Sequence, residues 1–370
     1  MAEFIVQDIN LLISKTVETA FNTAKTAGTD FLRAVMRGNT FGLPVLNKVD
    51  SSDLIGTGFD FAQIPLRVDY WNHPVMTIGE DVNADLFPVF LSRVFGGTNA
   101  APSTINTTGR QHTLLIGASN QRQLPSSNLI TSVGYVDDSN PGADFLWMGV
   151  VPESVQISQD AGRTPTWAVE LVGSGKFTTP LPTGVRTGLP ALVGDNTADS
   201  PDTYVHPATV VITYTDGSTI NLSTEGRIRS WNFQFNNNLR RDDRSPGDPL
   251  RVANDPESGA FVNRLQRGRR TCAAQITVSL NEDLQEFVTM SQNRVVDNLA
   301  FIMKGNLIAG ATPATNYTVE IDLPKAQLRT VSPTTVGDDA ALVLDWFPLK
   351  GDSLEYVSAN IINTRATAYA

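Results

Sequence analysis

One cysteine, Cys272, serves 370 residues, so no disulfide can close within the chain and no cysteine-based zinc site can form. Histidine is nearly as scarce. His73, His112 and His206 are far apart in sequence, with no second ligand at metal spacing, and neither a metal nor another cofactor is expected. No run reaches the ~18 apolar residues of a membrane helix, so no membrane association is expected. The first residues lack a basic region followed by an apolar run, which reads as no secretory signal. Without secretion, the glycosylation-type triplets at Asn106, Asn221 and Asn316 are coincidences. Charge is also sparse. Only 18% of residues are charged, and exposed surface normally carries more, so partners are expected to cover much of this protein.

Catalytic motifs are missing too. "GSGKFTT" around Lys176 fails as a phosphate loop, because Glu170 stands where the first glycine belongs and Phe177 replaces the serine or threonine. "GTGFDF" at Gly56 lacks a third glycine, and no Gly-x-Ser-x-Gly elbow occurs. Glu80-Asp81 and Asp242-Asp243 are adjacent acids in turn-rich segments, where carboxylates are usually solvated rather than catalytic. "DDRSPGD" lacks the alternating ligand spacing of a calcium loop. The chain is not expected to be an enzyme.

What is present is an uneven charge. The net charge is −10, yet Arg227 to Arg270 hold ten arginines, no lysine and five acids, a local +5 against −15 elsewhere. Within this stretch "RSWNFQFNNNLRRDDRSPGDP" starts as a strand with Trp231, Phe233 and Phe235 on one face and ends as a charged, turn-rich loop. The loop has three readings: a solvated loop, a phosphate contact, or an interface with another subunit. Phosphate tracks usually mix lysine with arginine, and the flat guanidinium fork suits paired carboxylates, so an arginine-only cluster favours the interface. The expected interface residues are Arg240, Arg241, Asp242, Asp243, Arg244, Arg267, Arg269 and Arg270.

Along the chain, residues 7–26 show helical spacing of Ile9, Leu12, Ile13, Val17, Ala20, Phe21 and Ala24. A second helix is expected in "DLFPVFLSRVF", with Asn83 or Asp85 as cap, Pro88 in the first turn and Gly96-Gly97 as the stop. A third is expected after Asn281, in "EDLQEFVTMSQNRVVDNLAFIMKG". The rest alternates as strands: "VPESVQIS", "WAVELVGSGKF", "TCAAQITVSL", "NYTVEIDLP", "AALVLDWFPLKGD", and a hairpin "TVVITYTDGSTINLS" turning at Asp216-Gly217. Cys272, inside a strand, reads as a small core residue. The organisation expected is an N-terminal helix and arm over 1–40, a long loop and short helix over 41–97, and a polar insertion over 98–144. A core over 145–370 follows, itself interrupted at about 178–225. The fold class is mainly β with a few helices, an antiparallel sandwich or barrel.

Four stretches, about half the chain, resemble the tail tube (major tail) proteins of long-tailed bacteriophages. They are "TIGEDVNADLFPVFLSRVFGG"; "VVPESVQIS" with "WAVELVGSGKF"; "GRIRSWNFQFNNNL" with "RTCAAQITVSLNEDLQEF"; and the ending "YTVEIDLPKAQLRT…DDAALVLDWFPLKGD". The resemblance implies a tail-tube type β-sandwich or barrel that assembles into stacked, hexameric rings around a channel for DNA ejection. It implies a virion tail location after synthesis in the host bacterial cytoplasm. Implied partners are the chain itself and other tail proteins (tape measure, tail terminator, distal tail or baseplate), with viral DNA passing through unbound. On this reading Glu320 and Asp322, on the polar face of an alternating strand, face the lumen. The alternative is a virion decoration or adhesin sandwich that binds a host cell-wall glycan.

Overall fold

The computed structural model describes residues 9–34, 46–49, 67–71, 75–118, 121–133, 143–189, 205, 209–213, 219–222, 228–240, 265–280, 295–296, 298–350 and 356–369. Among the described residues, strands make up 58% against two α-helices, and the strand pairings are antiparallel. The expected mainly β, sandwich-type class holds.

The larger sheet grows outward from one 18-residue strand, Ala143–Asp160. Its second half pairs with Thr166–Val172 on one edge and Ile228–Asn236 on the other. Val75–Asp81 continues the first edge. Thr271–Ser279, Asp339–Pro348, Ala326–Val336 and Val295–Val296 continue the second. The first half of the long strand pairs instead with Ser127–Val133, which carries Ile9–Ser14 and Phe31–Ala34 beyond it. The two halves meet at Gly149, whose φ of +63° is strained for any side chain. A Cβ there would lie 2.1 Å from Asn22 Oδ1. The second sheet has seven strands, in the order Thr219–Asn221, Thr209–Thr213, Asn298–Leu307, Asn316–Leu323, Ser358–Asn363, Arg110–Leu115, Ser103–Thr104.

Alternation explains how the sheets face each other. Trp231, Phe233 and Phe235 point inward, and Phe233 stands between Ile157 and the small Ala274. Leu299, Phe301 and Met303, with Val319, Ile321 and Leu323, form the opposing surface. The Trp231 and Phe301 rings close the gap at 4.8 Å. Each such fully buried aromatic contributes about 2–3 kcal/mol from area alone. The helix Phe87–Phe95 is buried on all sides, with Phe87 and Phe90 on Trp167 and Phe95 edge-on to Phe235 at 5.3 Å. Its boundaries follow the sequence. Asn83 Oδ1 accepts from Leu86 N at 2.6 Å in the turn that leads into the helix, whose N-cap position is Leu86 itself, and Gly96 closes it at φ +67°.

Four expectations are corrected. Over residues 7–26 the described chain forms a strand, Ile9–Ser14, followed by loop. Leu11 and Ile13 enter the main core while Leu12 enters a second one with Phe31, Ile130 and Leu146. A strand covered on both faces loses its alternation and mimics a helix. The third helix is corrected as well. Residues 281–294 lie outside the described residues, but Asn298–Leu307 is a strand, with Ala300 buried on the face opposite Phe301. Residues 98–144 are no insertion, since Arg110–Leu115 and Ser127–Val133 are interior members of the two sheets. Likewise Thr209–Thr213 and Thr219–Asn221, within the expected 178–225 interruption, form the expected hairpin and belong to the second sheet. The hairpin's turn at Asp216-Gly217 lies outside the described residues.

Candidate assembly surfaces

The strand that ends at Asn236 delivers the basic loop, and its base is clamped. Asn237 is fully buried, donating from Nδ2 to Val94 O at 2.7 Å and from its backbone N to Glu153 O at 2.9 Å. Leu239 N donates to Glu153 Oε1 at 3.1 Å. Asn238 turns the chain at φ +48°, a conformation asparagine tolerates, and donates to Arg269 O. Leu239–Arg240 then pairs with Gln266–Arg267. Nothing in the sequence singles out Asn237 or Glu153. A buried asparagine inside "FNNNLRR" has no pattern of its own and declares itself through partners distant in sequence, Val94, Glu153 and Arg270.

Of the eight expected interface residues, Arg241, Asp242, Asp243 and Arg244 lie outside the described residues. Arg240 and Arg269 are exposed at the loop's base, Arg240 opposite Gln266 and Arg269 accepting from Asn238 through its carbonyl. Arg267 and Arg270 are placed differently from the expectation of free pairing arms. Arg267 donates to the carbonyls of Gln121 and, at 3.0 Å, Ala118. Arg270 donates to Gly117 O, to Phe95 O at 3.4 Å and to Asn237 Oδ1 at 3.3 Å. Burial lowers both guanidinium pKa values, that of Arg270 to about 10. These two arginines staple the segment after the strand Arg110–Leu115 to the loop's base, and Arg270 also satisfies Phe95 O, a carbonyl freed at the helix end.

Glu320 and Asp322 sit as alternation requires, opposite Tyr317, Val319, Ile321 and Leu323. They are not an open acidic face. Asp322 is only 8% exposed and Glu320 half-buried. Asn360 Nδ2 donates to Asp322 Oδ2 at 3.0 Å. Burial first, and the neighbouring Asp322 second, push the Glu320 carboxyl up to about 7, and burial also raises that of Asp322. At neutral pH this pair therefore presents less negative charge than two free carboxylates.

Cys272 is partly buried against the main core, and burial pushes its thiol pKa up, which suits an inert core residue.

Two surfaces carry no sequence motif. One is the hairpin Ala326–Val336 with Asp339–Pro348. From Ser332 to Ala340 every residue but Thr334 is exposed, including Val336 at 41%. The outer edge of Ala326–Val336 is paired only at Ala326 and Gln327; beyond Gln327 it has no strand partner among the described residues. The other is the outward face of the larger sheet. A 480 Å³ cleft there is lined by Asn232, Gln234, Gln275, Arg329, Asp345 and Phe347, among others. Asp345 accepts from Gln275 Nε2 at 2.8 Å and Thr330 Oγ1 at 2.5 Å, while the Arg329 guanidinium lies 4.8 Å over the Phe347 ring.

No protein-family model matches this chain, and no curated protein is significantly similar to it. No helix among the described residues is long and apolar enough to cross a membrane.

Proposed function

We propose that this chain is a structural subunit of a phage-type tail tube, assembling through its own copies into stacked rings around a channel that passes DNA. The observation that supports this most is the unfinished hairpin Ala326–Pro348. A long strand edge that is exposed on both faces and, among the described residues, has no strand partner beyond Gln327 invites pairing with another chain. An isolated protein tends to blunt such an edge. A subunit keeps it for its neighbour. The two-sheet architecture, the low charge density and the exposed Arg240 and Arg269 against an acidic remainder agree with self-assembly. Stacked rings are head-to-tail contacts, in which a basic surface meets a different, acidic one.

Electron microscopy of the purified protein at rising concentration tests this. Rings or tubes with a central hole are the expected result. Discrete monomers or trimers at every concentration, with binding to cell-wall glycan, would overturn it in favour of the adhesin reading.

A further inference from the structure

Two outward sheet faces could line the channel of such a tube, and their chemistry differs. The smaller sheet's face carries Glu320 and Asp322, but its middle is closed. Ala300 is 4% exposed, Thr318 7%, and Asp322 and Ser358 8% each. Lys304 stands exposed on the same face.

The larger sheet's outward face is open. Register aligns one row across six strands: Thr330, Asp345, Gln275, Asn232, Ser158 and Thr166. In the next row Gln234 stands beside Gln156, and both are exposed, as are Gln275 and Thr166. The strands Val75–Asp81, Ala143–Asp160, Thr166–Val172, Ile228–Asn236, Thr271–Ser279 and Asp339–Pro348 contain no lysine. Their one arginine, Arg229, is paired with Asp339 at 2.7 Å. Arg329, on the adjoining strand, lies over Phe347.

We infer that this amide-and-hydroxyl face of the larger sheet, rather than the strand bearing Glu320 and Asp322, is the wall that meets passing duplex DNA. The inference rests on the tube reading above. Duplex DNA carries one charge per ~1.7 Å, and each fixed cation that neutralises a phosphate releases counterions and adds affinity. Uncharged amides and hydroxyls hold a water layer and release no counterions. The few carboxylates present, such as Asp345, repel phosphate. Such a wall lets a polyanion slide.

The test places single cysteines at Gln234→Cys and Gln275→Cys on this face and at Thr113→Cys on the exposed outer face of the smaller sheet. Tubes are labelled with a maleimide gold cluster and viewed in cross-section. The wild-type protein, whose Cys272 is partly buried, gives the background. Gold inside the channel for the first two and outside for Thr113→Cys is expected. Gold on the outer wall for Gln234→Cys and Gln275→Cys overturns the inference while leaving the tube reading intact. A helical reconstruction of wild-type tubes decides the same point without variants, since the larger sheet either faces the channel or does not. Failure of the wild-type protein to form tubes overturns the tube reading, and this inference with it.

Discussion

Glu18 is an acid surrounded by donors. Its Oε2 accepts from Ser126 Oγ at 2.6 Å and Asn22 N at 3.0 Å; its Oε1 accepts from Gly149 N at 2.8 Å and from Asn128 Nδ2. It thereby ties the N-terminal loop to the bend in the longest strand. Burial raises its carboxyl pKa, and the four donors oppose that rise. Glu18→Gln turns an amide donor toward donors and should cost about 2–3 kcal/mol, read as a lower urea midpoint at neutral pH. An unchanged midpoint would refute this role. Glu320 supplies a prediction in pH. Its folded-state carboxyl holds its proton to about 7, against an ordinary glutamate value of 4.5. The folded state therefore binds more protons than the unfolded state across that window, and stability falls as pH rises through it. Glu320→Gln should flatten this fall by about 1–2 kcal/mol after allowance for solvent screening, measured as melting temperature against pH. A slope identical to wild type would count against it.

At the scale of elements, the hairpin Ala326–Pro348 separates folding from assembly. Its root is core, with Leu328, Leu344 and Trp346 buried. Its tip buries little within the chain. Replacing residues 332–340 by a two-residue turn should therefore shift the melting temperature by no more than about 2 °C while abolishing tubes in electron micrographs. Tubes of normal length from this variant would show that the hairpin edge is not used. The helix Phe87–Phe95 is the contrasting case. It has no exposed face, and its role is to fill the space between Trp167, Phe235 and the second sheet.

For the whole molecule, the charge asymmetry sets the expectation. Arg240→Glu with Arg241→Glu reverses the charge at the start of the basic loop. It should raise the concentration needed for polymerisation at least about tenfold, with the monomer's circular dichroism unchanged. Light scattering against protein concentration measures it. Normal polymerisation would remove the loop from the interface. Arg267 and Arg270 are poor substitutes in such an experiment, because they hold the chain's own carbonyls and their loss would disturb folding.

Neighbours along the chain are enough to specify the strands at the centre of the large sheet, the helix with its cap and stop, the mainly β class and the location of the basic cluster. Alternation, capping and local charge are properties of adjacent residues, so they are legible before any folding is considered. The rest depends on what packs against what. Ile9–Ser14 is buried on both faces, and in Asn298–Leu307 the buried Ala300 opposite Phe301 interrupts the alternation, which blurs the period that would identify them. Arg267 and Arg270 become internal staples, and Asp322 becomes buried, through partners distant in sequence. Which polar face stays open is likewise decided by the fold. Both sheets alternate alike, and only the fold leaves Gln156, Gln234 and Gln275 exposed while closing the surface around Asp322.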